Sequence, residues 1–127
     1  GSSAIAIACD ASGQPAITGQ TSSTTFPVVN GFLLFNANRL TSGQLFDAFV
    51  SRLNAAGNGF VYSTYFGGTG DDKGNSIAMD GTGAVYVAGE TSALSNFPLK
   101  KAFQGTLTPP PAGRAVNIDG FAARVCP

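Results

Sequence analysis

The chain has 127 residues, enough for one domain with a small core. Seven Lys and Arg balance seven Asp and Glu, charged residues make up 11% of the total, and there is no His. This composition argues against the basic stripe of a nucleic-acid binder and a polybasic membrane surface, and the lack of His removes His-based triads and most zinc sites.

With 43% apolar residues the chain is also unlike a disordered tail, and no apolar run reaches the length of a bilayer-spanning helix. The opening Gly1-Ser2-Ser3-Ala4 reads as an end left by processing or by the choice of boundary. From Ala4 to Asp10 the residues alternate, with Ile5, Ile7 and Cys9 on one face and Ala4, Ala6 and Ala8 on the other. Both faces are apolar, which predicts a strand buried on both sides. Asp10-Ala11-Ser12-Gly13 is a turn, and Ala16 to Thr21 is a second strand that completes a hairpin. Only Gly31 to Leu40 has the pattern of a short helical turn.

Asp47 to Leu53 reads as a third strand, with Phe49, Ser51 and Leu53 on one face and Ala48, Val50 and Arg52 on the other. After the loop Asn54 to Gly59, Phe60 to Phe66 is a fourth strand rich in aromatic and β-branched residues. Gly67 to Gly74 reads as a returning loop, Ser76 to Thr91 as a hairpin around Asp80-Gly81-Thr82-Gly83, and Asp119 to Val125 as a last strand.

These elements repeat. Ile7-Ala8-Cys9-Asp10 recurs as Ile77-Ala78-Met79-Asp80, Thr18-Gly19-Gln20-Thr21-Ser22 as Ala88-Gly89-Glu90-Thr91-Ser92, and Phe26-Pro27 as Phe97-Pro98. Asp47-Ala48-Phe49 with Arg52 recurs as Asp119-Gly120-Phe121 with Arg124. Such self-similarity points to stacked units, because one unit cannot bury its apolar face alone. The fold class expected is all-β: two propeller-blade-like antiparallel sheets of four and three strands within a single domain, not closed into a propeller within one chain. Unit one covers about 4–68 and unit two about 75–127, the latter lacking its outer strand.

Five sets of residues are candidates for a special role. Cys9 and Cys126 are a disulfide pair in the reading preferred for a secreted chain, formed within one chain or between neighbours. Asp71 and Asp72, with Asn75 nearby, supply the oxygen ligands that a Ca²⁺ site uses, although turn formation is the preferred reading and no cofactor is expected. Asp47 with Arg52, and Asp119 with Arg124, recur at one offset and suggest structural charge pairs that tie strands or units together. Tyr62 and Tyr65, beside Phe60 and Phe66, are core or blade-to-blade packing residues in the preferred reading, and aromatics that a sugar would stack on in the other. Asp10 and Asp80 sit in equivalent turns, which favours a structural role.

The stretch Asp47-Ala48-Phe49-Val50-Ser51-Arg52-Leu53-Asn54, then Val61-Tyr62-Ser63-Thr64-Tyr65-Phe66-Gly67-Gly68, Gly70-Asp71-Asp72, Ile77-Ala78-Met79-Asp80, Tyr86-Val87-Ala88-Gly89-Glu90-Thr91-Ser92 and Phe97-Pro98 resembles the bacterial β-propeller repeat family known as SBBP. The resemblance implies a propeller-like scaffold and an extracellular or cell-surface location, and no particular activity. A closed propeller takes about four to eight blades, and this chain encodes fewer than two. An unfinished sheet offers a bare edge to another chain. The expectation is therefore a non-enzymatic extracellular structural protein that assembles with copies of itself through sheet edges, as a fibre or surface assembly. The alternative is a sugar-binding module, formed by oligomerisation or as part of a larger secreted protein. Partners are copies of itself or a glycan, with no nucleic acid and no membrane span.

Overall fold

The computed structural model describes residues 1–34, 36, 45–93, 97–105, 112–113 and 117–125. Seven strands follow in order: β1 (Ser2–Cys9), β2 (Pro15–Thr21), β3 (Asp47–Leu53), β4 (Phe60–Phe66), β5 (Asp72–Met79), β6 (Val85–Thr91) and β7 (Asp119–Val125). They form two antiparallel sheets, β1-β2-β3-β4 and β5-β6-β7, with no helix among the described residues. The residues from 31 to 34 carry no helical turn, and most of the remainder of that expected segment lies outside the described residues.

Each sheet grows by adding the next strand in the chain. Short turns set the register of β1–β2, β3–β4 and β5–β6, whereas β2–β3 and β6–β7 are joined by long connections and take their register from the faces they bury. The registers of the two sheets are the same. Ala16 faces Arg52 as Tyr86 faces Arg124, Gly19 faces Phe49 as Gly89 faces Phe121, and Thr21 faces Asp47 as Thr91 faces Asp119. A bulge recurs as well, at Ile5 between Ala4 and Ala6 and at Asn75 between Gly74 and Ser76. Opposite each bulge stands a glycine. A Cβ on Gly19 would lie 1.9 Å from the Ser3 carbonyl oxygen, and one on Gly89 would lie 1.9 Å from that of Lys73. The extra residue throws a carbonyl across the ladder, and only glycine leaves room for it.

The core lies between the sheets. One face of the first sheet, with Ala16, Ala48, Val50, Tyr62 and Phe66, packs on one face of the second, with Val85, Val87 and Val125. Ile77, Met79, Phe97, Phe121 and Ala123 pack against the same cluster. Strand β5 lies against β1, β2 and β3. It comes so close to β2 that a Cβ on Gly74 would stand 2.0 Å from Thr18 Oγ1.

Two sequence expectations need correction. Strand β1 is not buried on both sides: Ile7 is 66% exposed, and Ile5 and Cys9 are exposed too. It is an edge strand, half covered by β5 on the face of Ala6 and Ala8 and bare on the other, to which the bulge at Ile5 turns Ala4, contrary to the strict alternation expected. The second hairpin also starts earlier than Ser76. Asp72, Lys73 and Gly74 pair with Thr91, Glu90 and Gly89, because glycine at position 74 is set by contact with Thr18 rather than by a turn.

Candidate functional site

The turn after β1 is built by one carboxylate. Asp10 Oδ1 accepts the Ser12 N–H at 2.9 Å, the Ser12 hydroxyl at 2.7 Å and the Gln14 N–H at 2.9 Å. Asp80 does the same for Thr82 and Ala84, at 2.9, 2.6 and 3.0 Å. Gly13 and Gly83 close these turns at a φ of 81°, where a side chain would be strained. The hydrogen bonds favour the ionised form of each carboxylate. The Gln14 amide and the Ser12 hydroxyl hold Asp10 below the usual carboxylate range, and chiefly the Thr82 hydroxyl draws Asp80 down to about 2.

Arg52 links one turn to the other. Its Nη2 bonds Asp10 Oδ2 at 2.7 Å within the first sheet, and its Nη1 donates to the Gly83 carbonyl of the second sheet at 3.0 Å. The planar fork of Arg suits this double task, where Lys would offer a single point charge. The expected Asp47–Arg52 pair is therefore corrected. Five residues along a strand span roughly 16 Å and end on opposite faces, so Asp47 and Arg52 stand at the two ends of β3. Asp119 and Arg124 have the same separation in β7. The recurrence of the Asp and Arg signalled two separate posts rather than one pair.

Asp47 belongs to a second polar corner, with Asp71 and Asp72. All of Asp72 is buried; its Oδ2 accepts the Gly68 N–H at 2.8 Å, and its Oδ1 is buried with no hydrogen-bond partner among the described residues. Burial pushes its carboxyl up to about 7, against the pull of hydrogen bonds from Thr91 and Gly68. Asp71 Oδ1 accepts the Phe46 N–H at 2.9 Å, and the Asp71 N–H bonds Ser92 Oγ at 2.7 Å. Asn75 sits apart from these bonds as the exposed bulge residue. Among the described residues no group of three or more His, Cys, Asp or Glu comes together to hold a metal ion. Asp71 and Asp72 accept hydrogen bonds from the Phe46 and Gly68 backbone at the start of β5.

The two tyrosines of β4 are inside the protein. Tyr65 is 1% exposed and Tyr62 3%. The Tyr65 hydroxyl donates to the Ser23 carbonyl at 2.8 Å and accepts the Phe26 N–H at 3.1 Å, while the Phe26 ring lies 4.7 Å from that of Phe49 and 5.6 Å from that of Tyr65. Both tyrosines are core residues, as the preferred reading of the strand has it, and neither has a face free for the sugar stacking of the other reading. Phe97, the repeat partner of Phe26, packs 5.1 Å from Phe121 and 5.3 Å from Phe66 across the sheet interface. The recurrent Phe-Pro was the sequence signal for this plug. Cys9 is exposed and unbonded, and Cys126 lies outside the described residues.

What this arrangement does chemically is join sheet to sheet: an apolar face, an aromatic plug and one arginine that bridges two turns. No curated protein matches the chain. Residues 61–98 match the family model of the SBBP beta-propeller repeat. That segment, running from β4 of the first sheet through the β5–β6 hairpin to Phe97-Pro98, is an SBBP beta-propeller repeat.

Proposed function

We propose that this chain is a non-enzymatic, extracellular structural subunit that assembles with copies of itself into a ring or filament. The observation that carries this reading is the unequal finish of the two sheets. In the first, the outer edge of β4 is taken up by Val29, whose N–H donates to the Ser63 carbonyl at 2.9 Å and whose carbonyl accepts the Ser63 N–H at 2.8 Å. In the second, β7 is the last strand and no described residue pairs with its outer edge. A terminal strand of this kind favours strand addition by another chain. Low charge and the Gly, Ser and Thr content accord with an extracellular setting, and the absence of His from the sequence argues against acid–base catalysis. In that setting Cys9 and Cys126 join by a disulfide, within a chain or between neighbours. The sugar-binding alternative has lost the two rings it rested on, since Tyr62 and Tyr65 are buried.

Sedimentation and electron microscopy of the purified chain over a range of concentrations test the reading. Rings or filaments are expected, and a monomer at every concentration refutes it. On a non-reducing gel, a ladder marks bridges between chains and a single band marks a bridge within one.

A further inference from the structure

The two sheets present the same two faces in the same order. In the first sheet, the face carrying Ala16, Val50 and Arg52 receives the opposite face of the second, with Val85, Val87 and Val125. The counterpart of that receiving face on the second sheet carries Ala78, Ala88, Ala122 and Arg124. It forms a shallow apolar cavity of about 340 Å³. The counterpart of the docking face lies on the first sheet, where Ile5, Ile7 and Cys9 are exposed. One molecule thus carries both halves of a contact that it uses once internally.

With self-assembly as proposed above, the geometry points to a second copy of this chain seated with the Ile5, Ile7 and Cys9 face of its first sheet on the Ala88, Ala122 and Arg124 face, repeating the contact between the two sheets of one chain.

Three features of the residues fit this contact. The first is the arginine. Arg52 donates to the carbonyl of Gly83 in the following sheet's turn. Arg124 holds the equivalent register, is exposed, and makes no ion pair or hydrogen bond among the described residues. Its partner in a repeated contact is the Gly13 carbonyl of the second copy, in an exposed turn with the same φ of 81°. The second is how Asp80 is satisfied. Where Asp10 Oδ2 takes Arg52, Asp80 Oδ2 accepts the Tyr86 hydroxyl at 3.1 Å. The Arg124 guanidinium is thereby released for an external acceptor. A tyrosine flanks the arginine in both sheets, Tyr62 beside Arg52 and Tyr86 beside Arg124.

The third is a size exchange at the closest point. Inside the chain, Gly74 of β5 meets Thr18 of β2. In the repeated contact the corresponding residues are Ala4 of the second copy and Ala88. The side that loses the bulk of Thr faces a side that gains a methyl group, so the fit is kept. Because the two faces differ, the contact is head-to-tail and propagates into a ring or an open filament.

Sedimentation velocity on the 127-residue chain and three variants tests the contact, with far-UV circular dichroism verifying the sheets. Ile7→Asp blocks the docking face and Ala122→Lys the receiving face; both positions are exposed. Neither variant alone is expected to assemble, whereas an equimolar mixture gives a species of two chains and nothing larger. Arg124→Ala is expected to weaken association about 10- to 100-fold. If the unaltered chain assembles and all three variants assemble like it, the contact lies elsewhere, at the β7 edge, and this inference fails while self-assembly stands. Blocked variants that do not pair on mixing also overturn it. A chain that stays monomeric removes both readings.

Discussion

At the scale of single residues, the sheet interface depends on a few positions that tolerate no other residue well. Arg52 is one: Arg52→Ala removes the bond to Asp10 and the bond to Gly83 together, and a loss of about 1–3 kcal/mol in urea denaturation is expected. Arg52→Lys keeps the charge without the fork and is expected to recover only part of it. Gly74 is another. A methyl group there runs into Thr18 Oγ1, so Gly74→Ala costs roughly 1–3 kcal/mol. Adding Thr18→Ala is expected to return most of that loss, and a double-mutant cycle that shows simple additivity would contradict the contact.

Asp72 sets the pH response. Its carboxyl sits at about 7 in the folded chain against an ordinary value of 3.8, so the folded state binds this proton more tightly than the unfolded state. The associated stability is complete below about pH 3.8 and is lost as the pH rises through about 7. Asp80, at about 2, acts in the other direction: its contribution is present above 3.8 and is lost as the pH falls through about 2. Urea midpoints measured against pH should therefore peak at roughly pH 4, and Asp72→Asn should flatten the fall on the alkaline side.

At the scale of elements, the hairpins and their turns were legible because an Asp and a Gly at fixed spacing specify the same turn twice. The four-plus-three strand count followed from the repeat. What the residues hid was context. An alternating Ile and Ala strand reads as buried from its composition, yet β1 is at a sheet edge with nothing described over Ile7. Asp72-Lys73-Gly74 reads as loop because local propensity disfavours it, and tertiary contact with β2 overrides that preference. The Asp and Arg of β3 recur together, but strand geometry separates them and gives the arginine a partner from β1's turn. Tyr62 and Tyr65, aromatics within a β-rich strand, were legible as core, and they are buried. Phe66, at the end of β4, touches Phe97 and Phe121 of the second sheet, so Phe66→Ala is expected to cost about 3–5 kcal/mol by thermal or urea unfolding.

At the scale of the whole molecule, the SBBP match does not coincide with a sheet. It begins in β4, the last strand of the first sheet, and ends beyond β6 in the second. The matched segment therefore straddles the interface and brings Tyr62 and Phe66 of the first sheet together with Ile77, Met79, Val85, Val87 and Phe97 of the second, while Ala16, Ala48, Val50, Phe121 and Val125 join the contact from outside it. The first sheet has another property with a practical outcome. All four of its strands are complete by Phe66, so during synthesis it can form while the remainder is still being made. Until β5 to β7 arrive, Ala16, Ala48, Val50 and Tyr62 meet water. A polypeptide ended at Phe66 thus has every ladder bond of its sheet and a naked oily side, and precipitation rather than a soluble half-protein is what its expression should yield.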